Sequence, residues 1–243
     1  MTGHELDLEQ NRARMAAGEL YYAFTPDLNA DRRRCSAACE RFNRAGGDVS
    51  RRALALLVKE YVSYPKIPTR LVEERDPGAR MANHNCVLSI LKDDRALPDP
   101  APTPHEDEKS LADEPWIDGP VKMDYGYNVK LGKNVYINFN SVWIDTCTIE
   151  VGDRTLIGPN CSFYSAAHPL DPVLRNGTAG PEYGKPIKIG ADCWFGGSCI
   201  VLPGVTIGQG VTIGAGSVVT KDVPDFVAIA GNPARVIKDV PHP

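Results

Sequence analysis

Apolar residues recur at every sixth position through the C-terminal half of the chain. Read from Ile189, the sequence runs IGADCW, FGGSCI, VLPGVT, IGQGVT, IGAGSV, VTKDVP. Ile189, Phe195, Val201, Ile207, Ile213 and Val219 hold the first position; Cys193, Cys199, Val205, Val211, Ser217 and Val223, all small, hold the fifth. Earlier copies start at Leu131 (LGKNVY, INFNSV) and at Val151 (VGDRTL, IGPNCS). This period predicts a solenoid, each hexad one short strand and one turn, three strands to a coil. The hexad length is even, so in–out alternation survives around every coil. The first position fills the interior, the fifth is small because the strands crowd there, and glycine at the second relieves the turn. The register breaks between Phe163 and Ile189, in SAAHPLDPVLRNGTAGPEYGKP. Long excursions from a rigid scaffold are uncommon unless functional.

The N-terminal half has helical spacing. Gln10 to Leu20 reads as a weak helix that breaks near Thr25-Pro26. Asn29 or Asp31 can cap a second helix, in which Cys35, Ala38, Cys39 and Phe42 share a face and Gly46-Gly47 form the stop. Asp48 or Ser50 caps a third, Arg51 to about Tyr64, carrying Leu54, Leu57, Val58 and Tyr61. The run Arg32-Arg33-Arg34 reads as a solvated helix face before it reads as a phosphate grip. From about Tyr64 to Leu97 no pattern emerges. LPDPAPTPHEDEKSLADEPW, Leu97 to Trp116, is Pro-rich and acidic and predicts an extended surface connection. The divisions are a helical cap over 1–64, an insertion and linker over 65–118, and a repeat half over 119–243 with its excursion at 164–188.

Composition sharpens this division. Of 22 glycines, 17 lie at Gly119 or beyond, against only 20 of the 58 charged residues. A chain that is 42% hydrophobic builds a core, which excludes global disorder. The net charge of −4 argues against a nucleic-acid partner held by phosphate contacts. No apolar run approaches the ~20 residues of a membrane span, and MTGHELDLEQ is polar and acidic, unlike a secretory signal. A cytoplasmic protein is expected. Seven cysteines without a CxxC pair argue against a zinc ribbon or redox motif. Cys161, Cys193 and Cys199 occupy fifth positions and read as buried free thiols.

The hexads, the loop HPLDPVLRNG, the segment DYGYNVKLGKNVYINFN, the run GAGSVVTKDVP and the tail GNPARVIK together resemble the maltose and galactoside O-acetyltransferase family. RMAAGELYYAF and the Arg-rich helix after it resemble that family's helical cap. The resemblance covers about Gln10 to Tyr61 and Trp116 to Val240. It implies a mainly β fold, a left-handed parallel β-helix with an N-terminal α-helical cap. It also implies a homotrimer, acetyl-CoA as donor, a sugar hydroxyl as acceptor and no metal.

His168, the only histidine between His105 and His242, matches the family's general base and would take the hydroxyl proton. No covalent nucleophile is required, so direct transfer in a ternary complex is expected. Asn138 matches the residue beside the acceptor, and Asp145 stands where the family has an acidic pair, here completed by Thr146. Asp124, Tyr136 and Glu182 are further acceptor-side candidates, each also readable as a turn residue. Ala23 falls near the cap's usual acidic contact. For the coenzyme, the resemblance carries over Gly197, Ala215, Thr220 and Lys221, with the Gly197 N–H as oxyanion donor and Arg235 and Lys238 on the phosphates. Trp194 either lines the cleft or packs the surface.

Other classes fit less well. A γ-class carbonic anhydrase needs three converging histidines, and the repeat half before its tail supplies only His168. A non-catalytic solenoid scaffold has no need to combine the His168 loop with Lys221 and Arg235. A hexapeptide acetyltransferase with a non-sugar acceptor is the nearer alternative.

Overall fold

The first hexad positions form three inward columns, and these columns define the architecture. The computed structural model describes residues 6–45, 49–59, 91 and 95–241. Ile117, Ile137, Ile157, Phe195, Ile213 and Ile229 stack on one face, a seven-stranded sheet that ends in Val227–Ala230 and Arg235–Asp239. Met123, Trp143, Phe163, Val201 and Val219 stack on a second, five-stranded face. Leu131, Val151, Ile189 and Ile207 stack on a third, four-stranded face. All pairings along these columns are parallel, and the chain visits the seven-, five- and four-stranded faces in that order, coil after coil. Trp143 stacks on Phe163 with centroids 4.2 Å apart, and Phe163 meets Phe195 edge-on at 5.6 Å. The structure is the predicted β-solenoid.

The division of labour within the hexad differs from the expectation at the second position. The left-handed residue of each turn is the fourth. Asn134, Asn140, Arg154, Asn160, Asp192 and Ser198 hold φ between 51° and 61° there, and Gly204, Gly210 and Gly216 hold 83°, 63° and 73°. Second-position glycine answers a different demand. A Cβ on Gly152 would lie 2.5 Å from the Ala191 nitrogen, and one on Gly190 would lie 2.6 Å from that of Gln209. The next coil leaves no room for a side chain. Fifth-position residues are small, and several of the polar ones also donate to the next coil. Thr155 Oγ1 reaches the Gly190 carbonyl at 3.0 Å, and Cys161, Cys193 and Cys199 Sγ reach those of Gly196, Gly208 and Gly214 at 3.2, 3.1 and 3.3 Å. All three cysteines are buried and free.

The helices close the N-terminal end of the solenoid. Helix α1, Leu8–Ala17, ends on Gly18 in the left-handed conformation. Helix α2, Pro26–Ala45, begins one turn before the caps proposed at Asn29 and Asp31, because proline suits the first helical turn, where no N–H partner is needed. Its Cys35, Ala38, Cys39 and Phe42 are buried in one core with the solenoid columns. Asn43 caps the outermost strand of the five-stranded face: Oδ1 accepts the Val121 N–H at 2.8 Å and Nδ2 donates to the Val121 carbonyl at 2.9 Å. Helix α3, Arg51–Val58, starts from a Ser50 cap, as expected; Tyr61 and most of the insertion lie outside the described residues.

The acidic linker departs from the extended form expected of it. It contains helix α4, Pro104–Ser110, because Thr103 and Glu106 form a reciprocal cap and Pro104 takes the first helical position. Arg52 grips Asp107 and Arg51 pairs with Glu108, so α4 is clasped to α3, and Leu111 is buried. Among the described residues, no helix is long and apolar enough to cross a membrane.

The two kinds of glycine predict different costs. Gly190→Ala should destabilise the protein by about 1–3 kcal/mol through overpacking, read as a fall of several degrees in Tm. Gly216→Asn should leave Tm nearly unchanged, since its Cβ would meet open space and asparagine tolerates left-handed φ. Equal losses in both variants would contradict this division.

Candidate active site

Where the chain turns from the five- to the four-stranded face, two coils carry two residues more than a hexad: Met123 to Leu131 and Trp143 to Val151 are each eight apart. Asp145 occupies the second of these widened corners and is fully buried. Its carboxylate accepts the N–H groups of Asp124, Tyr125 and Asn128 at 3.1, 2.9 and 3.4 Å. Asn128 Nδ2 returns bonds to the carbonyls of Asp145 and Thr146 at 2.7 and 3.1 Å. Asp145 therefore holds the neighbouring corner in shape; it is not presented to solvent as an acceptor contact would be. Burial pushes its carboxyl up to about 7, with the charge of Asp124 adding to the rise and the backbone N–H groups opposing it.

The register-breaking excursion leaves from the same corner, one coil later. Ala166–Ala167 pairs antiparallel with Tyr183–Gly184, which closes the loop at its base. Between them Asp171 caps the short helix α5, Pro172–Arg175. His168 follows the outgoing strand and Glu182 precedes the returning one, so the hairpin sets them side by side, Nε2 to Oε2 at 3.6 Å. The histidine is 54% exposed and the glutamate 15%, so the imidazole faces solvent against a largely buried carboxylate. Asp124 is half-buried at the adjacent corner, and its carboxylate takes no hydrogen bond among the described residues. Burial raises its carboxyl; Arg32 opposes that and Glu182 adds to it.

Three residues not proposed from sequence complete this wall. Tyr21, fully buried, donates its hydroxyl to Glu182 Oε1 and lies 3.4 Å from Thr146 Oγ1. Arg32 donates to the hydroxyl of Tyr125, to the Ala23 carbonyl at 2.7 Å and to Asn29 Oδ1 at 2.6 Å. Both tyrosines lie in segments quoted above, RMAAGELYYAF and DYGYN, but no spacing rule links them to Glu182. Ala23 is buried and offers only its backbone.

The remaining proposed residues lie elsewhere in the chain. Asn138, Gly197 and Ala215 stack at a different corner, between the seven- and five-stranded faces. The Gly197 N–H has no acceptor among the described residues and is open as a donor. Tyr136 sits on the seven-stranded face with its hydroxyl on Asp118 at 2.6 Å and its ring edge-on to Trp116. Trp194 points outward from the same face, 56% exposed. Thr220 and Lys221 follow the last strand of the five-stranded face. Lys221 and Arg235 together line a cavity of about 210 Å³ at the C-terminal end, and Lys238 lies on the strand that carries Arg235. The residues expected from sequence thus lie in three places: the corner of His168 and Glu182, the corner of Asn138, Gly197 and Ala215, and the C-terminal end with Lys221 and Arg235.

The comparisons with known proteins identify the family. A family model described as the maltose acetyltransferase hexapeptide capping motif matches residues 14–60, and one described as the hexapeptide repeat of succinyl-transferase matches 186–221. The structure superposes on a maltose O-acetyltransferase from Clostridium difficile 630 with a TM-score of 0.70 and 32% identity, covering 96% of this chain and 98% of that one. The chain belongs to the maltose and galactoside O-acetyltransferase family. A galactoside acetyltransferase in complex with coenzyme A is similar at TM-score 0.63 and 27% identity, covering 98% of this chain and 92% of that one. By sequence, the galactoside O-acetyltransferase of Escherichia coli K12 is 42% identical over 131 residues, which span 54% of this chain and 64% of that one. A putative acetyltransferase of Dictyostelium discoideum is 46% identical over 132 residues, 68% of its length. As a member of this family the chain is an acetyltransferase.

The buried Asp145 gives stability a pH signature. Its folded-state value, about 7, lies above the ordinary 3.8, so the folded state holds a proton that the unfolded state releases. This contribution is fully present below about pH 4 and is lost as pH rises through 7. Asp145→Asn removes it, so the variant's Tm should gain on the parent's between pH 5 and 8. Parallel Tm–pH curves would show that Asp145 is ionised throughout.

Proposed function

We propose that the protein transfers the acetyl group of acetyl-CoA to the hydroxyl of a sugar related to maltose, glucose or a galactoside. The observation that carries this reading is the pairing of His168 with Glu182 at the base of the one loop that breaks the repeat. An alcohol is a poor nucleophile at neutral pH and needs a base in the transition state. His168 is exposed to an incoming acceptor, and Glu182 offsets the charge of the imidazolium formed when it takes the hydroxyl proton. The acceptor oxygen bonds to the thioester carbon, the carbon–sulfur bond breaks, and His168 returns its proton to the departing thiolate. This step requires no covalent nucleophile, and the reading is of direct transfer within a ternary complex.

We assign the Gly197–Ala215 corner and the C-terminal end to the donor and complete the centre with a second subunit. The Gly197 N–H faces the developing oxyanion, Ala215 and Thr220 line the pantetheine path, and Lys221, Arg235 and Lys238 neutralise the phosphates. Asn138 and Gly197 share a corner that does not carry His168, so a homotrimer that sets one corner against a neighbour's completes the site. Asp124 and Glu182 face the acceptor, with Asp145 behind them; Tyr136, tied to Asp118, stands at the edge of the donor half. The six described cysteines are free and buried, which suits the reducing cytoplasm.

His168→Ala should lower turnover by ~10²–10⁴-fold, with the trimer preserved in sedimentation velocity. Thiol release from acetyl-CoA with a panel of maltose, glucose, a galactoside, serine and an aminoglycoside reads both rate and acceptor. Near-parental turnover in the folded variant, or a response to the non-sugar acceptors alone, would overturn the reading.

Arg235→Ala should raise KM for acetyl-CoA about ten- to a hundredfold, since a charge-assisted contact is worth ~1.5–3 kcal/mol. The loss should shrink with acetyl-pantetheine, which lacks the nucleotide phosphates. Equal losses with both donors would assign Arg235 to packing of the chain end.

A further inference from the structure

We propose that Tyr21 is a positioning residue of acetyl transfer: its phenol holds Glu182 turned toward His168. The proposal rests on the reading of His168 as the base.

Tyr21 belongs to the N-terminal segment, 161 residues from its partner. The two residues form an isolated antiparallel bridge, in which the N–H of each donates to the carbonyl of the other at 2.9 Å. This fixes both backbones and therefore where the side chains start. The Tyr21 hydroxyl then takes Oε1 of Glu182, which leaves Oε2 for His168 at 3.6 Å. A carboxylate can reach both only in one orientation. Burial raises the phenol well above its ordinary range, so it stays a donor at any working pH.

The surroundings explain why the carboxylate needs holding. Glu182 is largely buried, and its negative neighbour, Asp124, disfavours its present place. A carboxylate without a donor there gains by turning to water. The segment approaches closely because of two glycines. Gly18 is left-handed, and a Cβ on it would lie 2.6 Å from the Gly184 carbonyl oxygen. A Cβ on Gly184 would in turn lie 2.5 Å from Cys147 Sγ. Gly184 follows Glu182 by two residues, so the same contact that docks the segment delivers Tyr21 to the carboxylate.

The test is a double-mutant cycle on Tyr21→Phe and Glu182→Gln. It is read as kcat and KM with acetyl-CoA and the best acceptor among maltose, glucose and a galactoside. Tyr21→Phe should lower kcat about tenfold, as slight misplacement of a catalytic group does, with KM for acetyl-CoA unchanged. The penalty should disappear in the Glu182→Gln background, because coupled residues are not additive. Glu182→Asp, which leaves the N-terminal segment untouched, should also lose about tenfold in kcat, since the shorter arm cannot span both partners. An undiminished Tyr21→Phe penalty in the Glu182→Gln background, an unchanged kcat in folded Tyr21→Phe, or parental kcat in Glu182→Asp would each overturn the proposal. His168→Ala run alongside separates the two claims: parental turnover there removes the base itself.

Discussion

Where glycine holds the second position of the hexad, the next coil approaches so closely that no side chain would fit. The gap at Gly190, 2.6 Å from a Cβ to the next backbone nitrogen, lies below any real contact distance. The rest of the hexad answers this constraint. The fifth residue is short because the interior is crowded, and where it is Thr155, Cys161, Cys193 or Cys199 its side chain turns a hydrogen toward the carbonyl of the glycine one coil on. The fourth residue absorbs the turn, where asparagine, aspartate or glycine adopts a left-handed conformation at little cost. Cysteine at the fifth position thus serves packing and hydrogen bonding together, which explains its repeated use without a redox role.

The wall that carries His168 is built on departures from this regular scaffold. Two corners widen by two residues and a third opens into the excursion. Each departure is stabilised by polar bonds where the hexad would have used packing. Asp145 replaces the missing regularity with three backbone N–H bonds. The N-terminal segment then lies against this irregular edge and supplies Tyr21 and Arg32, the latter donating to Tyr125 of the first widened corner. The cap is therefore both a plug for the core and one wall of the proposed site.

Period and composition made the solenoid legible because every coil repeats the same demand on the same position. The buried face of α2 was legible for the same reason: Cys35, Ala38, Cys39 and Phe42 keep the helical period. What could not be read depends on contacts between distant residues. Helix α4 was hidden because the prolines and acids around it also describe an extended linker, although Thr103-Pro104 with Glu106 is a cap. Asp145 looked like a ligand because a carboxylate in an apolar run has two explanations, and only its three backbone donors separate them. Nothing in the spacing of Tyr21 and Glu182 announces their bridge. His168 stood out as the lone histidine of an irregular loop, whereas the assignment of Asn138 and Gly197 to another corner required the fold.

The ends of the solenoid determine its length. The Asn43 amide occupies the hydrogen-bonding groups of Val121, and Arg95 Nη2 donates to the Leu131 carbonyl at 2.9 Å, so the first coil offers little to a preceding one. At the other end the chain doubles back. Arg235–Asp239 runs antiparallel to Val227–Ala230 with a register shift beside Ala228, while the Val218 N–H and carbonyl are taken by Gly231 and Ala234. A parallel coil cannot be laid on a reversed and shifted strand. Repeat proteins change size most readily by adding units at a terminus, and here both termini are sealed. A gain of coils would then have to occur inside the stack, and one inserted after the His168 loop would move that loop away from Lys221 and Arg235 by a whole number of coils.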